Sequence, residues 1–174
     1  MATKSRAKRR TTLRGSCQCG KVRFSVASET PVPFMLCFCS ICRKTGGCAF
    51  GCNIMGISST LKVQGRPSLR PYHARVREPG KRTYVSEAKR WFCTSCGTHL
   101  YLTDDRWPKG VWPYASAIDT PLPEPKRFVH IMTRFKPSWV PRWMLQHGTS
   151  HARFGGLSIA EWHEREGWPV TVRP

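Results

Sequence analysis

The sequence has no apolar run approaching the roughly 20 residues that a membrane-spanning helix requires. It has no G-x-G-x-x-G and no P-loop, the two glycine-rich turns that most often cradle phosphate, and no internal repeat. Its first residues, MATKSRAKRRTTLRG, are basic with no apolar stretch behind them, which is not the pattern of a secretory signal. Acids are scarce: 10 Asp plus Glu face 29 Lys plus Arg, a formal charge of +19. These absences lead to the expectation of a soluble, cytoplasmic chain with no membrane partner. Disorder throughout is excluded, because 40% of the residues are hydrophobic and 11% aromatic. At 174 residues the chain fits one domain, or at most two small ones. A chain of about 150 residues buries roughly two-thirds of its unfolded surface, so a core is attainable without cross-links.

The excess of cations implies affinity for an anion: nucleic acid, an anionic surface or a small acidic substrate. Six of the cations (Lys4, Arg6, Lys8, Arg9, Arg10, Arg14) lie within the first 14 residues. The rest are spread through the chain, so charge alone does not choose among these partners. A zinc-stabilised nucleic-acid or chromatin-binding domain without catalysis is one reading of it, with the basic tail as the contact.

What is plentiful is cysteine. The 9 are Cys17, Cys19, Cys37, Cys39, Cys42, Cys48, Cys52, Cys93 and Cys96. An odd number without a signal peptide argues against a disulfide framework. The spacings C-x-C, C-x-C-x-x-C and C-x-x-C suit convergence on metal ions. Structural zinc takes four thiolates in a tetrahedron; catalytic zinc takes three protein ligands and keeps one position open. Cys93-Thr-Ser-Cys96-Gly97 has the form of a zinc knuckle, and Cys17-Gln-Cys19-Gly20 supplies a second pair with its own trailing glycine. Together they are expected to form a closed four-Cys site. Cys37, Cys39 and Cys42 make an incomplete tetrahedron, an open site unless Cys48, Cys52 or a histidine completes it. Cys48 and Cys52 are otherwise ordinary buried thiols. Of the histidines, His130 and His147 are the first to inspect as ligands.

Residues 1–13 read as a disordered basic tail, 14–146 as the zinc-binding domain and 147–174 as a C-terminal extension. Lys21–Val26 alternates polar and apolar, the period of a half-buried strand. Further strands are expected at 48–54, 60–64, 69–75, 82–86, 98–103, 111–116 and 128–133, between Gly and Pro punctuation. The fold class is therefore mainly β. A helix is expected at 158–166: Ser158-Ile159-Ala160-Glu161 has the capping-box form, with Gly167 and Pro169 as stop signals. A turn or short helix is expected at Arg43–Gly46. Between 127 and 168, Trp139, Trp143, Phe154, Trp162 and Trp168 alternate with cations. They form either aromatics packed on the sheet, a pocket wall or a nucleic-acid surface.

Three segments taken in order, G-S-C-Q-C-G-K-V-R-F, C-F-C-S-I-C-R-K-T-G-G-C-A-F and R-W-F-C-T-S-C-G-T-H-L-Y, resemble the glutathione-dependent formaldehyde-activating enzyme family, which includes domains similar to centromere protein V. The resemblance spans roughly residues 13–146. It implies a single β-tent domain of folded antiparallel sheets holding two Zn²⁺ ions. Cys17, Cys19, Cys93 and Cys96 match the family's structural site, and Cys37, Cys39 and Cys42 its catalytic site. It implies a carbon–sulfur lyase or synthase that reversibly joins glutathione, or another small anionic thiol, to formaldehyde. Glutathione carries two carboxylates, so Arg43, Lys44 and Arg90, which adjoin the cysteine motifs, are the candidate substrate-binding cations. His99 and Tyr101 are candidate proton donors beside water. Cys48 departs from the family pattern and would close the second site if it were a fourth ligand.

Overall fold

The alternation at the first motif does form a strand. In the computed structural model, which describes residues 10–78 and 80–168, Thr11–Ser16 (β1) and Arg23–Ser28 (β2) pair in an antiparallel register from Thr11 opposite Ser28 to Ser16 opposite Arg23. Phe24, Val26 and Ser28 point inward while their neighbours face out. There follow Met35–Cys37 (β3), the helix Ser40–Gly46 (α1), Gly51–Cys52 (β4), Gly56–Ile57 (β5), Lys62–Gln64 (β6) and Leu69–Val76 (β7). The chain continues through Tyr84–Cys93 (β8), His99–Thr103 (β9), Gly110–Pro113 (β10), Phe128–Ile131 (β11), Gly148–Ser150 (β12) and the helix Ile159–Arg165 (α2).

The fold is mainly β, in three sheets with strand orders β1-β2-β6, β5-β10-β9-β8-β7 and β12-β11-β3-β4. The first two sheets close on a shared core that includes Leu13, Phe24, Val26, Leu69, Leu100 and Val111. The third packs against α2: Phe34, Val129 and Ile131 meet Ile159, Trp162 and Trp168, and the Phe34 and Trp168 rings lie 4.0 Å apart. The pleat sends alternate residues of β3 to opposite faces. Cys37 therefore joins the α2 side, while Leu36 joins a smaller cluster with Phe38, Ala49 and Val140.

Several expectations need correction. Antiparallel sheets were expected, but β11 runs parallel to both β3 and β12. The segments joining these strands are long, so no hairpin imposes an antiparallel sense. The strand expected at 82–86 runs on to Cys93. Thr11–Leu13, placed in the tail, belong to β1; residues 1–9 of that tail, and Pro169, lie outside the described residues. Only Gly51–Cys52 of 48–54 is strand. The helix near 158–166 is present as α2, with the capping box formed: Ser158 Oγ accepts from Glu161 N, and Glu161 Oε2 accepts from Ser158 N at 2.7 Å. Among the described residues no helix is long and apolar enough to cross a membrane.

Candidate metal centres

Two loops of similar shape bring four sulfurs together. Cys17 directly follows β1 and starts a turn closed by Gly20 N donating to Cys17 O; Cys93 ends β8 and starts one closed by Gly97 N donating to Cys93 O. Both glycines sit at φ +73°, a conformation that a side chain resists, so glycine is what permits each knuckle. Thr98 stitches the loops together: its Oγ1 accepts from Gln18 N at 3.1 Å and lies 3.2 Å from Cys96 Sγ. The sulfurs of Cys17, Cys19, Cys93 and Cys96 all lie within 4.8 Å of one another. Cys17 and Cys19 are 3.5 Å apart, and Cys19 and Cys93 3.8 Å. Four thiolates 2.3 Å from a tetrahedral zinc are separated by about 3.8 Å, so donor set and spacing both fit zinc.

The second group is Cys37, Cys39 and Cys42, also mutually within 4.8 Å. Cys37 comes from β3 and Cys42 from the first turn of α1. Cys39 is the N-cap of that helix, its Sγ accepting from Cys42 N at 3.3 Å. Hydrogen bonds from the Cys37 and Cys42 thiols, with backbone N–H groups of α1, pull Cys39 down to about 2, while its thiolate neighbour drives Cys37 far above the usual thiol range. A thiolate already favoured beside two more sulfurs is the arrangement that a soft divalent cation would complete. No fourth His, Cys, Asp or Glu joins the group among the described residues. Cys48 is exposed and outside it; Cys52 is outside it as well, and burial pushes its thiol up to about 12.

The two groups differ in what they face. Cys37, Cys39 and Cys42 line a cavity of about 710 Å³, and no member of the four-Cys group does. Two polar side chains on the cavity wall lack protein partners. Arg90 is buried at 8% exposure with Nε and Nη1 unpaired, and Asn53 has an unpaired Oδ1. Arg90 reaches this position by the alternation of β8: Trp91 and Cys93 face the main core, while Arg90, in phase with buried Ala88, faces the cavity. The irregularity between β8 and β9 lies at Leu100, the extra residue of β9, where His99, Leu100 and Tyr101 are buried in succession. Of the other cations expected to bind substrate, Arg43 directs Nε to Phe38 O at 3.1 Å, and Lys44 lies on a separate hollow of about 290 Å³ that also touches Arg90 and His99.

His99 lies in that smaller hollow, its ring 4.0 Å from that of Tyr114; burial, helped by the Arg90 charge, pushes it down to about 4. Tyr101 is in the main core against Phe24, raised by burial to about 12, and does not line the main cavity. His130 is fully buried with Nδ1 3.3 Å from Ser150 Oγ, and His147 is exposed at φ 60°; neither joins a cysteine group. The sequence reading missed Tyr114, whose hydroxyl is 3.3 Å from Thr45 Oγ1 and lies against Cys42. It also missed Asn53, Leu157 and Ile159 on the cavity; of the aromatics weighed as a pocket wall, Phe154 lines it. Among the other aromatics, Trp162 and Trp168 pack on the third sheet while Trp139 and Trp143 are exposed.

The sequence matches the profile of the family described as glutathione-dependent formaldehyde-activating enzyme over residues 12–134. The chain belongs to the glutathione-dependent formaldehyde-activating enzyme family. A protein of Halomonas elongata, named provisionally as a glutathione-dependent formaldehyde-activating enzyme, is 44% identical over 156 residues, covering 89% of this chain and 96% of its own. A crystal structure of a Rhodobacter sphaeroides protein shows a looser likeness, at 21% identity and a TM-score of 0.48 over 79% of this chain and 99% of that one.

Space around the three-Cys group is tight on the side away from the cavity. A Cβ on Gly51 would lie 2.9 Å from the Cys42 Cβ and 3.2 Å from the Tyr114 ring. Gly51→Ala is therefore expected to displace α1 and lower metal retention at this group selectively. Metal content per chain after dialysis would fall from about two ions toward one, with near-normal folding; unchanged retention would show that the neighbours absorb the methyl.

Proposed function

We propose that this chain is a zinc-dependent carbon–sulfur lyase or synthase acting on the adduct of glutathione, or a similar anionic thiol, with formaldehyde or another small aldehyde. The observation that carries the reading is that three cysteines open onto a cavity while four others close on themselves away from it. We assign Cys17, Cys19, Cys93 and Cys96 to a structural zinc and Cys37, Cys39 and Cys42 to a catalytic one. Cys37, Cys39 and Cys42 would hold the catalytic zinc, which would supply Lewis acidity to lower the pKa of a substrate thiol. The family membership, and the name carried by the Halomonas elongata relative, support glutathione as the thiol.

The chain's own residues do the rest. Arg90, buried and with two unpaired N–H groups, anchors a substrate carboxylate within the same cavity. Asn53 Oδ1 accepts from an amide N–H of the thiol's backbone. Tyr114 and Thr45 brace Cys42 from behind and hold its sulfur toward the cavity. The apolar wall keeps water from competing for the aldehyde carbon. Joining thiol and aldehyde is proton-neutral: an S–C bond forms, the C=O π bond opens, and the proton lost by the thiol is the one the alkoxide takes up. Lys44 is a candidate for a second carboxylate across Arg90, and Arg43 for the outer rim of α1.

Arg90→Met tests the anchoring role. A charge-assisted hydrogen bond contributes about 1.5–3 kcal/mol, so KM for glutathione is expected to rise about tenfold to hundredfold. KM for 2-mercaptoethanol, which has no carboxylate, should change little. An equal loss for both thiols would remove Arg90 from carboxylate recognition. The nucleic-acid reading has the charge of +19 in its favour and draws on a tail that lies mainly outside the described residues.

A further inference from the structure

The cavity is larger and more apolar than a one-carbon aldehyde requires. Its volume of about 710 Å³ is in the range of pockets that enclose drug-sized ligands, about 300–1,000 Å³. Beside the cysteines its lining includes Met55, Trp112, Ile131, Phe154, Leu157 and Ile159. The acids on it are already neutralised. Asp104 takes two hydrogen bonds from the Arg106 guanidinium, at 2.9 and 2.6 Å, and Glu78 is paired with Lys81 and Arg153. Among the described residues, Arg90 is the buried cation on this wall with unpaired donors. Glutathione carries two carboxylates and an ammonium. A carboxylate on Arg90 accounts for one of these charges and leaves most of the apolar wall without a partner.

Resting on the thiol–aldehyde reaction at the three-Cys group, we infer that the carbonyl half of the substrate is a bulky apolar group, aromatic in the first instance, lying on the Trp112–Phe154–Leu157 wall. The adduct is a thiohemiacetal of an aromatic or arylalkyl aldehyde. The S–C bond forms at the carbonyl carbon, and its oxygen receives the proton released by the thiol, so no oxidant or reductant takes part. Three segments distant in sequence build the wall: β10 supplies Trp112, β11 supplies Ile131, and the C-terminal extension supplies Phe154, Leu157 and Ile159. Ile131 and Ile159 also belong to the core beneath, with Trp112 and Leu157 packed on it, whereas Phe154 lines the cavity while 74% exposed and so offers its ring to a ligand.

The test separates this inference from the reaction by measuring binding without turnover. S-methylglutathione and S-benzylglutathione are titrated calorimetrically into the zinc-replete full chain. S-benzylglutathione is expected to bind at least tenfold more tightly. A tenfold gain needs only about 55 Å² of apolar contact at about 25 cal/mol per Å², well below what a phenyl ring offers. Phe154, 74% exposed, can be truncated with little risk to folding. Phe154→Ala is expected to lower the benzyl-to-methyl ratio at least threefold. Equal affinities for the two thioethers, or a ratio unchanged in Phe154→Ala, would overturn the inference. Tight S-benzyl binding without turnover of any thiol–aldehyde pair would strike the proposed reaction and leave the apolar subsite standing; turnover of formaldehyde with equal thioether affinities would do the reverse.

Discussion

Cys93→Ser is expected to leave the chain without a cooperative fold at room temperature. Structural zinc contributes apparent binding free energies of about 10–16 kcal/mol, whereas a domain is stable by only about 5–15 kcal/mol in total. The four-Cys group holds β1 to β8, with Cys19 and Cys93 74 residues apart in sequence. Cys93 is fully buried in the main core, so its replacement by a hydroxyl also places an unpaired polar group among Leu13, Leu69 and Leu100. Circular dichroism with thermal melting reads the outcome: a lost or broadened transition in Cys93→Ser, and the same loss when a strong chelator strips the wild type. A sharp transition within a few degrees of wild type would mean that this group is not structural.

Cys39→Ser should behave in the opposite way, keeping the fold and losing the reaction. Cys39 has two separable jobs. As N-cap of α1 its side chain accepts from Cys42 N, and serine is among the best residues for that job. In the proposed catalytic site it is one of three thiolate ligands, and a neutral hydroxyl is a poor substitute. The cap is thus retained and the ligand lost. Zinc content is expected to fall from two ions per chain to about one, the melting transition to shift by no more than a few degrees, and turnover to fall at least a hundredfold. Unfolding as severe as that of Cys93→Ser would make the three-Cys group structural and remove the basis for the proposed reaction.

The two cysteine groups were legible in the sequence because thiols that converge leave a local signature: two or three within six residues, and in the four-Cys group a glycine to turn each loop. The capping box before α2 was legible for the same reason. The short strands β3, β5 and β12 carry too little alternation to be read, and long-range pairing sets their places. Arg90 was picked out for lying near Cys93, yet it faces the cavity on the opposite side of β8 from Cys93, which only the packing on both faces of the sheet decides. The cavity was legible only as one of three readings of the C-terminal aromatics. Phe154 and Leu157 share a cavity with the three-Cys group because β12 pairs with β11 and α2 docks on the third sheet, which no local pattern announces.

X-ray absorption at the zinc edge of the zinc-replete chain, with and without excess glutathione, tests most directly the claim that the two cysteine groups are different kinds of site. Two zinc ions per chain are predicted, one with four sulfurs and one with three plus a light atom, averaging about 3.5 sulfurs per zinc. Glutathione should raise the average to about 4 as its thiolate takes the open position. Four sulfurs per zinc before any thiol is added, or a single zinc per chain, would contradict it.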